Sequence, residues 1–89
     1  MIEKRRTIIN DSDRLMLVWT EPIPEDYWLK PGESLEIVVN ARSETCYFEV
    51  EDDERGVIVI FGKGMSDYFT VLQRGVELKC GHQRPEGWR

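Results

Sequence analysis

The 89-residue sequence holds two cysteines and one histidine, and these shortages exclude several chemistries. A structural zinc site wants four Cys or His ligands, and here only Cys46, Cys80 and His82 are available before carboxylates are recruited. A blue-copper centre needs two histidines beside its cysteine, so Met65 and a β fold do not suffice for one. Two cysteines are also too few for a disulfide framework, and both are expected to be free thiols. No apolar run reaches the roughly 18–20 residues of a membrane helix. The opening MIEKRRTIINDSDR has basic residues but no apolar stretch behind them, so no secretory signal is expected and the chain reads as cytoplasmic.

Cationic charge is scarce where it would matter for nucleic acid. Residues 1–20 carry four basic and three acidic side chains, 21–56 three and eleven, and 57–89 five and three, which gives +1, −8 and +2. The acidic middle would repel a phosphate backbone, and the short run Lys4-Arg5-Arg6 does not reverse that. No nucleic-acid or membrane partner is expected.

What is present is period-two alternation broken by turn residues. Leu35, Ile37 and Val39 alternate with Glu36, Val38 and Asn40, and Cys46, Phe48 and Val50 alternate with Thr45, Tyr47, Glu49 and Glu51. The runs RLMLVWT (14–20) and VIVIF (57–61) are apolar on both faces, as strands covered on both sides would be. Pro22-Ile23-Pro24, Lys30-Pro31-Gly32-Glu33, the 52–56 run and Arg74-Gly75 read as turns, the last closing a hairpin. The spacing predicts an all-β domain: a small antiparallel sandwich or barrel of about six to seven strands over 1–89, with little or no helix and loosely held ends near 1–5 and 84–89. The expected core is Leu15, Leu17, Trp19, Leu35, Ile37, Val39, Phe48, Val50, Val59 and Phe61.

The arrangement Glu21-Pro22, Tyr27-Trp28-Leu29, Pro31-Gly32-Glu33 resembles a strand, turn and strand found in small uncharacterised bacterial all-β proteins, with an echo in Gly81-His82-x-Arg84-Pro85. The resemblance covers about residues 14–40. It implies a β-sandwich and carries no activity or binding residue across.

The remaining candidates are few. Cys80-Gly81-His82 lacks a third group to orient a base, and no G-x-S-x-G elbow is present. The acidic 49–54 run lacks the D-x-[DN]-x-[DN]-G calcium spacing and reads as a solvated hairpin loop that discourages edge pairing. Tyr27 and Trp28, in a proline-bracketed loop, are the candidate surface for a ligand or partner, although for Trp28 a lid over one open end of the sandwich is the favoured reading, because a core this small needs every aromatic it has. No catalytic, metal or cofactor residue is assigned. The expectation is a non-enzymatic binding or interaction domain, as a homodimer or with a protein partner through Met16, Val18, Ile58 and Ile60. Two alternatives are a module for carbohydrate or a divalent cation, and a small thiol or metal enzyme using Cys80 and His82.

Overall fold

Leu35, Ile37 and Val39 turn the same side of one strand into the core, all at or below 1% exposure, while Glu36 and Val38 face outward, half-buried. That pleat repeats through the chain. The computed structural model describes residues 2–41, 48–62 and 65–88. It contains β1 (Ile2–Ile9), β2 (Met16–Glu21), β3 (Glu25–Leu29), β4 (Ser34–Ala41), β5 (Phe48–Asp53), β6 (Gly56–Phe61), β7 (Met65–Gln73) and β8 (Val76–Glu77). The fold is all-β, a sandwich of two four-stranded sheets ordered β1-β4-β7-β8 and β3-β2-β6-β5.

Turn chemistry sets the connections. Pro31-Gly32 closes a turn in which the Glu33 amide donates to the Lys30 carbonyl over 3.0 Å. Arg74 and Gly75, both at positive φ, form the two-residue hairpin loop between β7 and β8. Between β2 and β3 the inward Thr20 is fully buried, but its hydroxyl donates to the Ile23 carbonyl and accepts from the Glu25 amide, so the burial leaves no unpaired polar group there.

Among the described residues every strand pair is antiparallel except β2–β6, which is parallel. At its start β6 comes so close to β2 that a Cβ on Gly56 would lie 2.0 Å from the Leu17 carbonyl oxygen and 2.7 Å from its nitrogen. Only glycine fits there.

The core lies between the sheets. Ile8, Leu35, Ile37, Val39, Phe69 and Val71 come from the first sheet, and Val18, Tyr27, Leu29, Val59 and Phe61 from the second. Phe61 and Phe69 stack across the layers with centroids 4.5 Å apart. Three expected core positions sit elsewhere. Leu15 is 37% exposed in the β1–β2 connection, and Leu17 and Trp19 point to the outer face of the second sheet while Val18 points in. Alternation cannot choose between two apolar faces, and in this strand both faces are covered.

The ends also carry structure. Residues 2–5, expected to be loose, pair with Ala41 to Val38 as part of β1. Arg84 and Trp88, in the other stretch expected to be loose, pack on β2 and β3.

Candidate interaction surface

The outer face of the second sheet is where the chain departs from a plain sandwich. Cross-strand register places Asp26, Trp19, Ile58 and Glu51 in one row and Trp28, Leu17, Gly56 and Asp53 in the next. Leu17 is 1% exposed and Trp28 5%, although among the described residues no second sheet lies above them. The cover is the segment 80–88, which follows β8 after Leu78 and Lys79.

That segment is compact because it turns three times. The His82 amide donates to the Lys79 carbonyl and the Arg84 amide to the Gly81 carbonyl, each over 3.0 Å, and the Trp88 amide donates to the Pro85 carbonyl over 3.3 Å. Gly81 and Gln83 both take positive φ to make these bends. The segment then lies along β3, the strand at the edge of its sheet. The Gly81 amide donates to the Asp26 carbonyl (2.6 Å) and the Trp28 amide to the His82 carbonyl (2.9 Å), so backbone groups of the edge are paired. The Gln83 side chain donates through Nε2 to the Trp28 carbonyl and to Glu33 Oε1, each over 2.8 Å.

Asp26 is the polar centre of this contact. Its side chain is 3% exposed, yet every bond it needs is supplied. Arg84 donates through Nε to Oδ2 (2.7 Å) and through Nη2 to Oδ1 (2.6 Å), a two-pronged pairing that matches guanidinium to carboxylate. Trp28 Nε1 donates to Oδ2 (2.8 Å) and Cys80 Sγ to Oδ1 (3.4 Å). The Arg84 bond holds the Asp26 carboxyl below its usual range against the opposing pull of burial. Glu33, bonded by Gln83 and the Lys30 amide, is lowered in the same way.

Aromatic rings close the other side. Trp88 meets the edge of Trp28 at 5.3 Å and a tilted Trp19 at 6.0 Å, with the Arg84 guanidinium 5.8 Å from the Trp88 ring centre. Arg84 thus lies between a buried anion and an indole face. Two buried atoms of the segment, Trp88 Nε1 and His82 Nε2, have no hydrogen-bond partner among the described residues. Beside Trp28 a groove of about 390 Å³ is lined by Leu15, Met16 and Trp28 with Arg14, Glu54 and Arg55.

The residues singled out in the sequence fall differently. Tyr27 and Trp28 are both buried, so neither offers an open aromatic surface. They lie in β3 on opposite faces, Tyr27 in the core and Trp28 beneath Trp88, because Glu25-Asp26-Tyr27-Trp28-Leu29 is a strand and not the expected loop. The Tyr27 hydroxyl donates to Glu25, and burial with that carboxylate drives its ionisation upward. Met16 and Val18 belong to the core side, while Ile58 and Ile60 are half-buried on the outer face next to Glu51 and Glu49.

The Cys80 thiol donates to Asp26 Oδ1 at 3.4 Å, and desolvation pushes its pKa up, while His82 Nε2 is buried with no hydrogen-bond partner among the described residues. Cys46 lies outside the described residues. Among the described residues no three His, Cys, Asp or Glu side chains converge to hold a metal ion. The acidic residues of 49–54 are strung along β5 and its turn, with Asp53 accepting from the Arg55 amide at 3.2 Å. No helix among the described residues is long and apolar enough to cross a membrane.

Asp26, Gln83, Arg84 and Trp88 were not marked by the sequence as partners of one another. The nearest signal was the alternation of Glu25, Tyr27 and Leu29, which makes Asp26 an outward strand residue beside Trp28. No family model, curated protein or solved structure matches the chain.

Proposed function

We propose that the chain is a non-enzymatic protein-interaction domain whose contact surface is the outer face of the second sheet around Asp26, Trp19 and Trp28. One observation carries this reading: that face already binds a peptide segment, residues 80–88, by three separate means. These are backbone bonds to the β3 edge, a buried carboxylate that takes a guanidinium, and an aromatic seat for an indole. Edge pairing supplies affinity for any backbone, and side-chain seats supply selectivity. The matching partner is a turn-forming peptide with an arginine followed by a tryptophan. Ile58 and Ile60 extend the apolar strip past the segment, and Glu49 and Glu51 beside them favour a partner with basic residues near its apolar ones. The free Cys80 thiol fits a reducing, cytoplasmic setting.

The test uses the full chain carrying Arg84→Ala, which loosens its own segment and leaves Asp26 in place. A labelled synthetic peptide with the sequence of residues 79–88 is titrated in by fluorescence anisotropy. The variant should bind at least about tenfold tighter than the parent, whose tethered segment competes at an effective concentration in the millimolar range. Adding Asp26→Asn should remove that binding. A folded Arg84→Ala chain that shows no saturable binding would contradict the reading.

A further inference from the structure

The structure points to a second copy of this chain as the partner: we propose that two copies exchange residues 80–88 reciprocally, each segment seating on the other's Asp26, Trp19 and Trp28. The inference rests on the interaction reading above and names its occupant. Two observations carry it.

First, the contacts of the segment divide cleanly. Those of Gly81, His82, Gln83, Arg84 and Trp88 with Asp26, Trp28, Trp19 and Glu33 join it to β2, β3 and the turn before β4, none of which adjoins it in the chain. A neighbouring copy presents the same groups, so each bond made within one chain can be made between two. The resulting interface is self-complementary, as a two-fold dimer requires.

Second, the connection before the segment is slight. β8 is two residues long and makes two ladder pairs, and Leu78 is fixed to the first sheet by its amide bond to the Val71 carbonyl. Lys79 is exposed and outside any strand, so the chain can swing there without disturbing the core. A short hinge ahead of a compact docking element is the arrangement in which exchange competes with closure.

Because the same contacts exist in both forms, alanine substitution of either ionic partner alone should leave the parent balance between monomer and dimer little changed. Mixing two variants changes it. In Arg84→Ala the buried Asp26 has lost its guanidinium; in Asp26→Ala the arginine has lost its carboxylate. A heterodimer with exchanged segments rebuilds one complete Asp26–Arg84 pair and places the two alanines together at the other seat, which relieves the uncompensated buried charge.

The experiment is sedimentation velocity on each variant alone and on an equimolar mixture, unfolded and refolded together, at one concentration at which the parent is monomeric. The expected result is a species of twice the 10.5 kDa chain mass in the mixture only. A mixture that stays monomeric, with both variants showing the parent circular dichroism, overturns the exchange. If either variant does not fold, the parent is refolded at high concentration and then diluted. A dimer that survives dilution and vanishes after dilute refolding supports the exchange, and a strictly monomeric product overturns it. Peptide binding by Arg84→Ala without heterodimer formation leaves the interaction surface standing and removes the second copy as its partner; loss of both removes both.

Discussion

Replacing Trp88 separates a segment that completes the fold from one that merely lies near it. The ring contacts Trp28 and Trp19, and burying roughly 150 Å² of indole at about 25 cal/mol/Å² contributes about 4 kcal/mol as an upper estimate. Against this stands the buried Nε1–H with no partner among the described residues, whose desolvation costs about 1–3 kcal/mol. Trp88→Ala removes both contributions and should therefore destabilise by roughly 1–3 kcal/mol, which for a domain of this size lowers Tm by about 4–24 °C. Trp88→Phe keeps most of the ring contact and discards the unpaired donor, so its stability should fall within about 1 kcal/mol of the parent. Urea unfolding followed by far-ultraviolet circular dichroism gives both numbers without relying on tryptophan emission. The reasoning is refuted if Trp88→Ala loses less than about 0.5 kcal/mol, the range of an exposed surface substitution. It is equally refuted if Phe costs as much as Ala, since the unpaired donor would then contribute nothing.

Three other outcomes follow from named contacts. Gly56→Ala must force β6 away from the Leu17 backbone and should destabilise by roughly 2 kcal/mol or more in urea titration, while Ile58→Lys, on the half-buried outer face, should fold like the parent. Asp26 and Glu33 are lowered in the fold, so the stability they contribute is fully present above the unfolded carboxyl range near pH 4 and is lost as pH falls through their folded values. Urea midpoints measured from neutral to strongly acidic pH should fall there, with a shallower decline in Asp26→Asn. Cys80, although exposed, should react with iodoacetamide at neutral pH more slowly than a free cysteine, because partial desolvation of the thiol and its bond to the Asp26 carboxylate disfavour the thiolate; a rate equal to or above that of the free thiol would contradict the contact.

The sequence made the sheets legible wherever polar and apolar residues alternate. β4 and β5 follow that pattern, and the Arg74-Gly75 and Pro31-Gly32 turns sit where their residue types require. It failed where a second layer of cover erases the alternation. In Met16-Leu17-Val18-Trp19 both faces are apolar because Trp88 roofs the outer one beside Trp28, so alternation alone reads the inward set one residue out of phase. β1 was hidden by Lys4-Arg5-Arg6, charges that suit an edge strand and look like a loose end. β3 was hidden by the prolines before and after it. Asp26 and Arg84 lie 58 residues apart, and no local periodicity links an outward strand carboxylate to an arginine in a turn. Their meeting is a product of topology: β8 leaves the chain at the edge of the first sheet, from which the segment crosses to the edge of the second.

The central claim is that residues 80–88 are a separable element docked on a binding face, and amide hydrogen exchange tests it most directly. The Trp28 amide, bonded to the His82 carbonyl, and the Gly81 amide, bonded to the Asp26 carbonyl, report docking, while amides of the β2–β6 pair report the core. The account predicts that Trp28 and Gly81 exchange together through a local opening of lower free energy than the core, and that Arg84→Ala accelerates both while leaving the core amides protected. If Trp28 and Gly81 instead exchange only with the β2–β6 amides, at the free energy of global unfolding, the segment is not separable and the claim is contradicted.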